Sequence, residues 1–139
     1  MRNCLIRHRI SSIMKEIVVS SMAPKPIGPY SQGVVSGNYI FLSGQVGRKH
    51  DATELEKGVA AQTRQTILNI KAVLAEKNLN LDNVVKTSVF LADINDFAEM
   101  NGVYAEFFDE NTAPARTTIQ AAALPLAADV EIEAMASLD

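Results

Sequence analysis

Apolar side chains occupy every second position from residue 130 to 136, near the C-terminal end of the chain. Because successive side chains of a β-strand point to opposite faces of a sheet, residues 129–136 (DVEIEAMA) predict a strand with two different faces. The face that belongs in a core consists of Val130, Ile132, Ala134 and Ala136. The other face consists of Asp129, Glu131, Glu133 and Met135. The fold therefore needs a sheet with one covered face.

Two longer segments have the three- and four-residue spacing of amphipathic helices. The first covers residues 57–77, and the second starts near Asp96, which has capping-box spacing with Glu99. The apolar stripe of the second helix consists of Phe97, Met100, Tyr104, Phe107 and Phe108. Further strands are predicted at residues 16–20, 32–36, 39–45, 84–92 and 115–121. The order β-β-β-α-β-α-β-β predicts an α+β sandwich in which two helices cover one face of a six-stranded sheet.

Charge is distributed unevenly along the 139 residues. Residues 16–139, which we predict to form a single domain, hold nine basic and sixteen acidic residues. So acidic a domain is a poor partner for a phosphate backbone, and nucleic-acid binding is not expected. The single cysteine, Cys4, excludes a disulfide framework, and neither histidine has metal-ligand spacing, so no metal is expected. No apolar run approaches the roughly 20 residues that span a bilayer, so no membrane partner is expected.

Residues 1–15 (MRNCLIRHRISSIMK) contain four basic and no acidic side chains. On a helix, their leucine and isoleucine side chains would form one stripe flanked by arginines, which is typical of a mitochondrial presequence. A basic tail outside the fold is the alternative. A chain that starts at Met14 would keep the whole domain, so we predict a mitochondrial matrix location and a cytoplasmic one for such a shorter form.

Arg116 lies on the predicted strand 115–121 and is the only basic residue after Lys86. Two glutamates, Glu131 and Glu133, are about 7 Å apart along the last strand, from the rise per residue. Carboxylates this close repel each other unless a cation or a proton intervenes. A nearby guanidinium could pair with a glutamate, or hold a substrate carboxylate through two hydrogen bonds. Spacing alone favours a structural ion pair at the edge of the sheet.

Asn101, Tyr30 and Gly44 have ordinary structural explanations when each is taken alone. Asn101 is one residue away from the apolar stripe of the second helix, where side chains are usually partly exposed. Tyr30 follows a Gly-Pro pair in a constrained loop, where a tyrosine usually packs with its hydroxyl at the surface. Gly44 lies near a strand end, where glycine marks a bulge or a turn. None of these residues indicates an enzyme by itself.

Taken together, these residues lie within motifs that resemble those of the RidA/YjgF/UK114 family. In chain order, the motifs are residues 27–32 (IGPYSQ), 41–46 (FLSGQV), 84–87 (VVKT), 91–97 (LADINDF), 114–118 (PARTT), 123–125 (ALP) and 130–134 (VEIEA). The resemblance runs from about residue 16 to 137, and its motifs keep the order that they have in the family.

The resemblance implies a chorismate-mutase-like α+β fold and a homotrimer whose sheets line a central barrel, with three clefts between subunits. It also implies an enzyme that hydrolyses reactive 2-imino or enamino acids to 2-keto acids and ammonia and so protects pyridoxal-phosphate enzymes. The expected substrates are 2-iminobutanoate and 2-iminopropanoate, and no cofactor is implied.

The resemblance also assigns expected roles to single residues. In such proteins the arginine that matches Arg116 holds the substrate carboxylate, and the glutamate that matches Glu131 positions the hydrolytic water. The tyrosine and asparagine that match Tyr30 and Asn101 line the cleft. Backbone near Gly44 contributes hydrogen bonds.

Thr118 is a departure from the family, because many relatives have cysteine at this position. Backbone near Thr118 is expected to contribute hydrogen bonds, but the reaction cannot depend on a thiol there, so we interpret the side chain as cleft lining that tunes selectivity. Two other functions remain open: a non-catalytic trimeric binding or chaperone-like protein, and a ribonuclease or translation inhibitor. The presence of Arg116 argues against the first, and the acidic domain argues against the second.

Overall fold

The computed structural model describes residues 15–139. The predicted presequence lies outside the described residues apart from Lys15 and stays a prediction. The strands are β1 (Glu16–Val18), β2 (Gly33–Ser36), β3 (Tyr39–Val46), β4 (Val84–Leu91), β5 (Ala115–Gln120) and β6 (Val130–Ser137). The helices are α1 (Val59–Ala75) and α2 (Phe97–Phe107). The predicted order of elements is confirmed, with ends that differ by at most two residues.

All six strands form one mixed sheet in the order β1-β2-β3-β6-β4-β5. Only β4 and β5 run parallel to each other, and every other neighbouring pair is antiparallel. The last strand of the chain is therefore an inner strand, between β3 and β4. Because an inner strand has neighbours on both sides and packs on one face, its side chains separate sharply into covered and uncovered positions.

The core lies between the sheet and the two helices. Val130, Ile132 and Ala136 are fully buried and Ala134 is 6% exposed, so the predicted core face of β6 is confirmed. The helices complete the core with residues that are almost wholly buried, namely Ile67, Ile70 and Leu74 of α1 and Met100 of α2. We call the side that α1 and α2 cover the helix face, and the opposite side the open face.

The open face carries large apolar side chains that stay exposed in the single chain. The strand register places these side chains opposite to the core positions, and they include Ile17, Tyr39, Phe41 and Ile119. Several large apolar side chains exposed on one face of a sheet are a feature of contact surfaces, so the open face is a candidate surface for contact with another molecule.

Two local predictions were wrong. Asp96 does not cap α2 through its side chain, because a single 3₁₀ turn (Ile94–Asp96) precedes the helix and Asp93 caps that turn by accepting from the Asn95 amide at 2.9 Å. Asp129 does not share the face of the glutamates. It lies before β6 and exchanges two hydrogen bonds with Gln62 of α1.

Candidate functional site

The side chain of Arg116 is held against one side of α2. Its Nη1 donates a hydrogen bond to Asn101 Oδ1 at 2.7 Å. The centre of its guanidinium lies 4.6 Å from the ring centroid of Tyr104 and 5.5 Å from that of Phe97. Contacts of this kind between a cation and an aromatic face are attractive. We call Arg116, Asn101, Tyr104 and Phe97 the arginine cluster.

Tyr104 is itself held in place by a contact with the sheet. It is 5% exposed, and its hydroxyl forms a buried hydrogen bond of 2.8 Å with Thr87 Oγ1. Burial raises the pKa of the Tyr104 hydroxyl above its usual value, against the smaller lowering effects of Thr87 and Arg116. The ring is therefore a neutral, buried surface on which the guanidinium lies.

The arginine cluster leaves the positive charge uncompensated. Within residues 15–139, none of the ion pairs involves Arg116. The prediction of a structural ion pair, which spacing alone favours, is therefore wrong for the single chain. A guanidinium has five N–H donors, and Asn101 uses one of them, whereas the ring faces use none. The remaining donors match the planar, bidentate geometry of a carboxylate. The cluster is suited to bind a carboxylate.

Glu131 lies on the open face of β6, beside a bulge in β3. The register between β3 and β6 shifts between Leu42 and Gln45, so Gly44 is a bulge glycine, as predicted. A Cβ atom built at Gly44 would overlap the Glu131 carboxylate. Glycine is therefore required here because the carboxylate lies directly against the backbone.

The half-buried position of Glu131 changes its chemistry. Loss of solvent raises the pKa of the Glu131 carboxyl above its usual value, and the negative charge of Glu133 on the same face raises it further. A carboxylate with a raised pKa is a stronger proton acceptor near neutral pH than an exposed one.

A cavity of about 470 Å³ opens beside Glu131 and is also lined by Tyr30 and Gly44. The Tyr30 hydroxyl accepts a hydrogen bond of 3.2 Å from the Ile27 amide, so the tyrosine fixes the loop that forms one wall of the cavity. We call Glu131, Gly44 and Tyr30 the glutamate cluster.

The two clusters lie on opposite faces of the sheet. Thr87 of β4 is in register with Arg116 on one side and with the core residue Ala134 on the other, which puts Arg116 on the helix face. Phe90 of β4 is in register with Glu131, and it is an odd number of residues from Thr87. Since alternate side chains share a face, Glu131 points to the open face. One chain therefore does not bring these predicted site residues together.

Thr118 lies on the helix face with Arg116, two residues further along β5. Its Oγ1 is buried and has no hydrogen-bond partner within the described part of the chain. An unpaired buried hydroxyl is uncommon and suggests that a partner is supplied from elsewhere.

Phe97 and Tyr104 are residues of the arginine cluster that we interpreted from the sequence only as core. The signal was present, because Phe97, Asn101 and Tyr104 are spaced i, i+4 and i+7 and so line one side of a helix. An amide between two aromatic residues on one side of a helix, with no acidic residue there, is a suitable surface for an arginine.

No cluster of three or more His, Cys, Asp or Glu side chains within residues 15–139 has the geometry to hold a metal ion. None of the described helices has both the length and the apolar content to cross a membrane.

Comparison with known proteins gives a consistent picture. A family model described as Endoribonuclease L-PSP matches residues 20–138. A RutC family protein of Pyrococcus horikoshii is 47% identical over 124 residues, which are 88% of this chain and 98% of the relative. The 2-iminobutanoate/2-iminopropanoate deaminase of Escherichia coli is 43% identical over 125 residues, with 88% and 98% covered. A crystal structure of Escherichia coli TdcF with bound serine superposes with a TM-score of 0.83 at 40% identity, covering 88% of this chain and 98% of that one.

Proposed function

The chain belongs to the Endoribonuclease L-PSP family, which includes the YjgF and RidA proteins, and on that basis we propose that it hydrolyses 2-imino acids to 2-keto acids and ammonia. The proposed substrates are 2-iminobutanoate and 2-iminopropanoate, the compounds named for the Escherichia coli relative. The observation that carries the proposal is the arginine cluster. Arg116 is fixed by an amide oxygen and two aromatic rings, with its other donors available for the carboxylate that every 2-imino acid has.

The active site in this proposal lies between two copies of the chain. The arginine cluster and the glutamate cluster lie on opposite faces of one sheet, so a substrate that touches both needs one cluster from each of two copies. The exposed apolar side chains of the open face supply a reason for copies to associate. We propose a closed homotrimer, in which each of three equivalent interfaces completes one site.

The proposed reaction uses the two clusters for different steps. Arg116 binds the carboxylate of the substrate and so fixes the imine carbon relative to Glu131 of the neighbouring copy. Glu131 accepts a proton from a water molecule as the water oxygen bonds to the imine carbon, and passes this proton to the nitrogen, giving a carbinolamine. Glu131 then takes the proton of the carbinolamine hydroxyl and delivers it to the amine nitrogen as the C–N bond breaks, so ammonia leaves as the carbonyl forms. The products are the 2-keto acid and ammonia, with one water consumed.

RNA cleavage is the second activity to be assayed, because the description of the family names an endoribonuclease. The charge of the domain argues against it, since residues 16–139 hold nine basic and sixteen acidic side chains. We therefore propose imino-acid hydrolysis as the activity of the chain.

The proposal is tested with an imino acid made during the assay. A threonine dehydratase generates 2-iminobutanoate, and semicarbazide traps the imino acid that escapes hydrolysis. The wild-type chain should lower the rate of trapping, and Arg116→Ala should reduce this effect by at least about 100-fold, because two charge-assisted hydrogen bonds are lost.

Arg64→Ala is the matched control for this test. Arg64 also lies near an aromatic ring, at 5.9 Å from the centroid of Phe107, but it pairs with Glu106 on the exposed surface. This variant should keep the wild-type rate. Equal rates for Arg116→Ala and wild type, with both proteins folded, would refute the role of Arg116. An inactive wild type that cleaves RNA would refute the proposed function.

A further inference from the structure

One side of the cavity beside Glu131 is formed by apolar side chains that the proposed hydrolysis does not use. They come from two separate loops, and we call them the apolar wall: Pro24, Ile27, Pro125 and Leu126. In the single chain Ile27 is 66% exposed and Leu126 is 51% exposed. Large apolar residues that face a cavity next to a proposed catalytic carboxylate point to an apolar portion of the ligand.

Leu126 is held in a backbone conformation that leucine rarely adopts. Its φ and ψ are 59° and 19°, in the left-handed region, and Ala127 follows with a φ of 54°. Side chains with a Cβ atom are strained in this region, and such strain is found most often at functional sites. The turn is closed by hydrogen bonds from the Ala127 and Ala128 amides to the carbonyls of Leu124 and Pro125, at 3.2 and 3.1 Å. The strain accompanies a turn that brings Leu126 to the cavity.

Ile27 on the other loop is also fixed before any ligand binds. Its amide donates to the Tyr30 hydroxyl at 3.2 Å, and Tyr30 itself lines the cavity. The two large members of the wall are therefore held in place by local structure on their own loops. A preformed apolar surface selects ligands better than one that must be ordered on binding.

The charged residues around the cavity give an acidic ligand side chain no net attraction. Glu131 and Glu133 line the cavity as well as Lys25 and Arg48, so both signs of charge are present. Arg48 is turned towards its own loop, where Nη1 donates to the Ala52 carbonyl at 3.1 Å. Lys25 is exposed. The apolar wall is then the remaining surface against which a ligand side chain would be desolvated.

We propose that the apolar wall is the subsite for the side chain of the imino acid, and that it selects aliphatic side chains of three or four carbons. This inference rests on the proposed function. In the single chain, before a neighbouring copy encloses it, the cavity of about 470 Å³ has room for ligands larger than 2-iminopropanoate, which has six non-hydrogen atoms. A branched substrate such as 2-imino-4-methylpentanoate fills more of the cavity and covers Leu126.

The inference is tested with a series of 2-imino acids that differ only in their side chains. An amino-acid oxidase with catalase generates 2-iminopropanoate, 2-iminobutanoate, 2-imino-4-methylpentanoate or 2-iminoglutarate in the presence of semicarbazide. Each buried methylene is worth about fourfold in affinity, and the cavity is partly open, so we expect kcat/KM to rise about 10-fold from 2-iminopropanoate to 2-imino-4-methylpentanoate. Leu126→Gly should remove most of this preference, measured as the ratio of kcat/KM for 2-imino-4-methylpentanoate to kcat/KM for 2-iminopropanoate.

Ala127→Gly is the matched control, since it relieves the same left-handed conformation without removing the leucine side chain. Neither glycine variant should impair folding, because glycine adopts this conformation without strain. A preference that survives in Leu126→Gly, or that Ala127→Gly also removes, would overturn the inference.

The series also separates this inference from the proposed function. A wild type that prefers 2-iminopropanoate or 2-iminoglutarate overturns the apolar subsite but leaves imino-acid hydrolysis intact. A wild type that is inactive on the whole series contradicts the proposed function instead.

Discussion

The arginine cluster and the glutamate cluster differ in how much of their geometry a single chain completes. Arg116 has its hydrogen-bond acceptor and both aromatic contacts within one copy, from β5 and α2. Glu131 is placed by a bulge in β3, but it faces an open cavity beside an apolar sheet face. The binding half of the proposed site is thus preorganised in each copy, whereas the hydrolytic half would become enclosed only on assembly.

Mixing two inactive variants tests this division most strongly. Arg116→Ala lacks the binding half and Glu131→Gln lacks the hydrolytic half, so each variant alone should lose nearly all activity. If each site takes Arg116 from one copy and Glu131 from its neighbour, trimers refolded from an equal mixture contain some intact sites. For random assembly the recovered activity is about one quarter of the wild-type value.

Two controls make the complementation experiment decisive. Refolding each variant separately should give no recovery, and the double variant mixed with either single variant should give none that exceeds the single variant's own activity. An equal mixture that is trimeric, fully exchanged and inactive would mean that both groups act within one copy, contrary to their placement on opposite faces of the sheet.

The contact between Gly44 and Glu131 gives a second, smaller effect. In Gly44→Ala the added methyl group would overlap the Glu131 carboxylate, so the carboxylate must move. A displacement of about 1 Å at a catalytic group lowers rates by on the order of 100-fold. Measurement of kcat and KM should show the loss mainly in kcat, because carboxylate binding at the arginine cluster is unchanged.

Gly102→Ala is the comparison for this substitution. Gly102 lies within α2, and a Cβ atom there would meet nothing within 4 Å. Replacing a helical glycine with alanine stabilises a helix by about 0.5–1 kcal/mol, so the melting temperature should rise while activity stays the same. An active Gly44→Ala variant would show that Glu131 does not need its position beside the bulge.

The fold could be predicted from the sequence wherever one face of an element is buried. β6 is an inner strand, so its four core positions follow from simple alternation. The errors concern local partners. Asp96 has capping-box spacing with Glu99, but a 3₁₀ turn precedes α2, and the side-chain cap is made by Asp93 at the start of that turn. A pattern of residue types does not encode which backbone turn precedes a helix.

The site could be predicted only in part. The residues themselves came from the family resemblance, but the register that puts Arg116 and Glu131 on opposite faces depends on β4 lying between β5 and β6. This pairing joins segments distant in sequence, and spacing within one strand does not encode it. The aromatic contacts of Arg116 were readable from the helical spacing of Phe97 and Tyr104, because residues seven apart lie on the same side of a helix.

The ionisation of Glu131 gives the smallest expected effect and separates the two clusters by pH. Its pKa is raised in the folded chain, by burial first and by Glu133 second, so the folded state holds a proton that the unfolded state has already released. Stability therefore falls as the pH rises from the unfolded pKa through the folded one. Glu131→Gln removes this loss, so the free energy of unfolding of the variant relative to wild type should increase across that window and then level off.

Urea unfolding at fixed protein concentration measures this free energy at each pH, with Glu54→Gln in an exposed loop as the control. A difference between Glu131→Gln and wild type that does not change with pH would mean that burial of the carboxylate carries no cost, contrary to the placement of Glu131 against the β3 bulge.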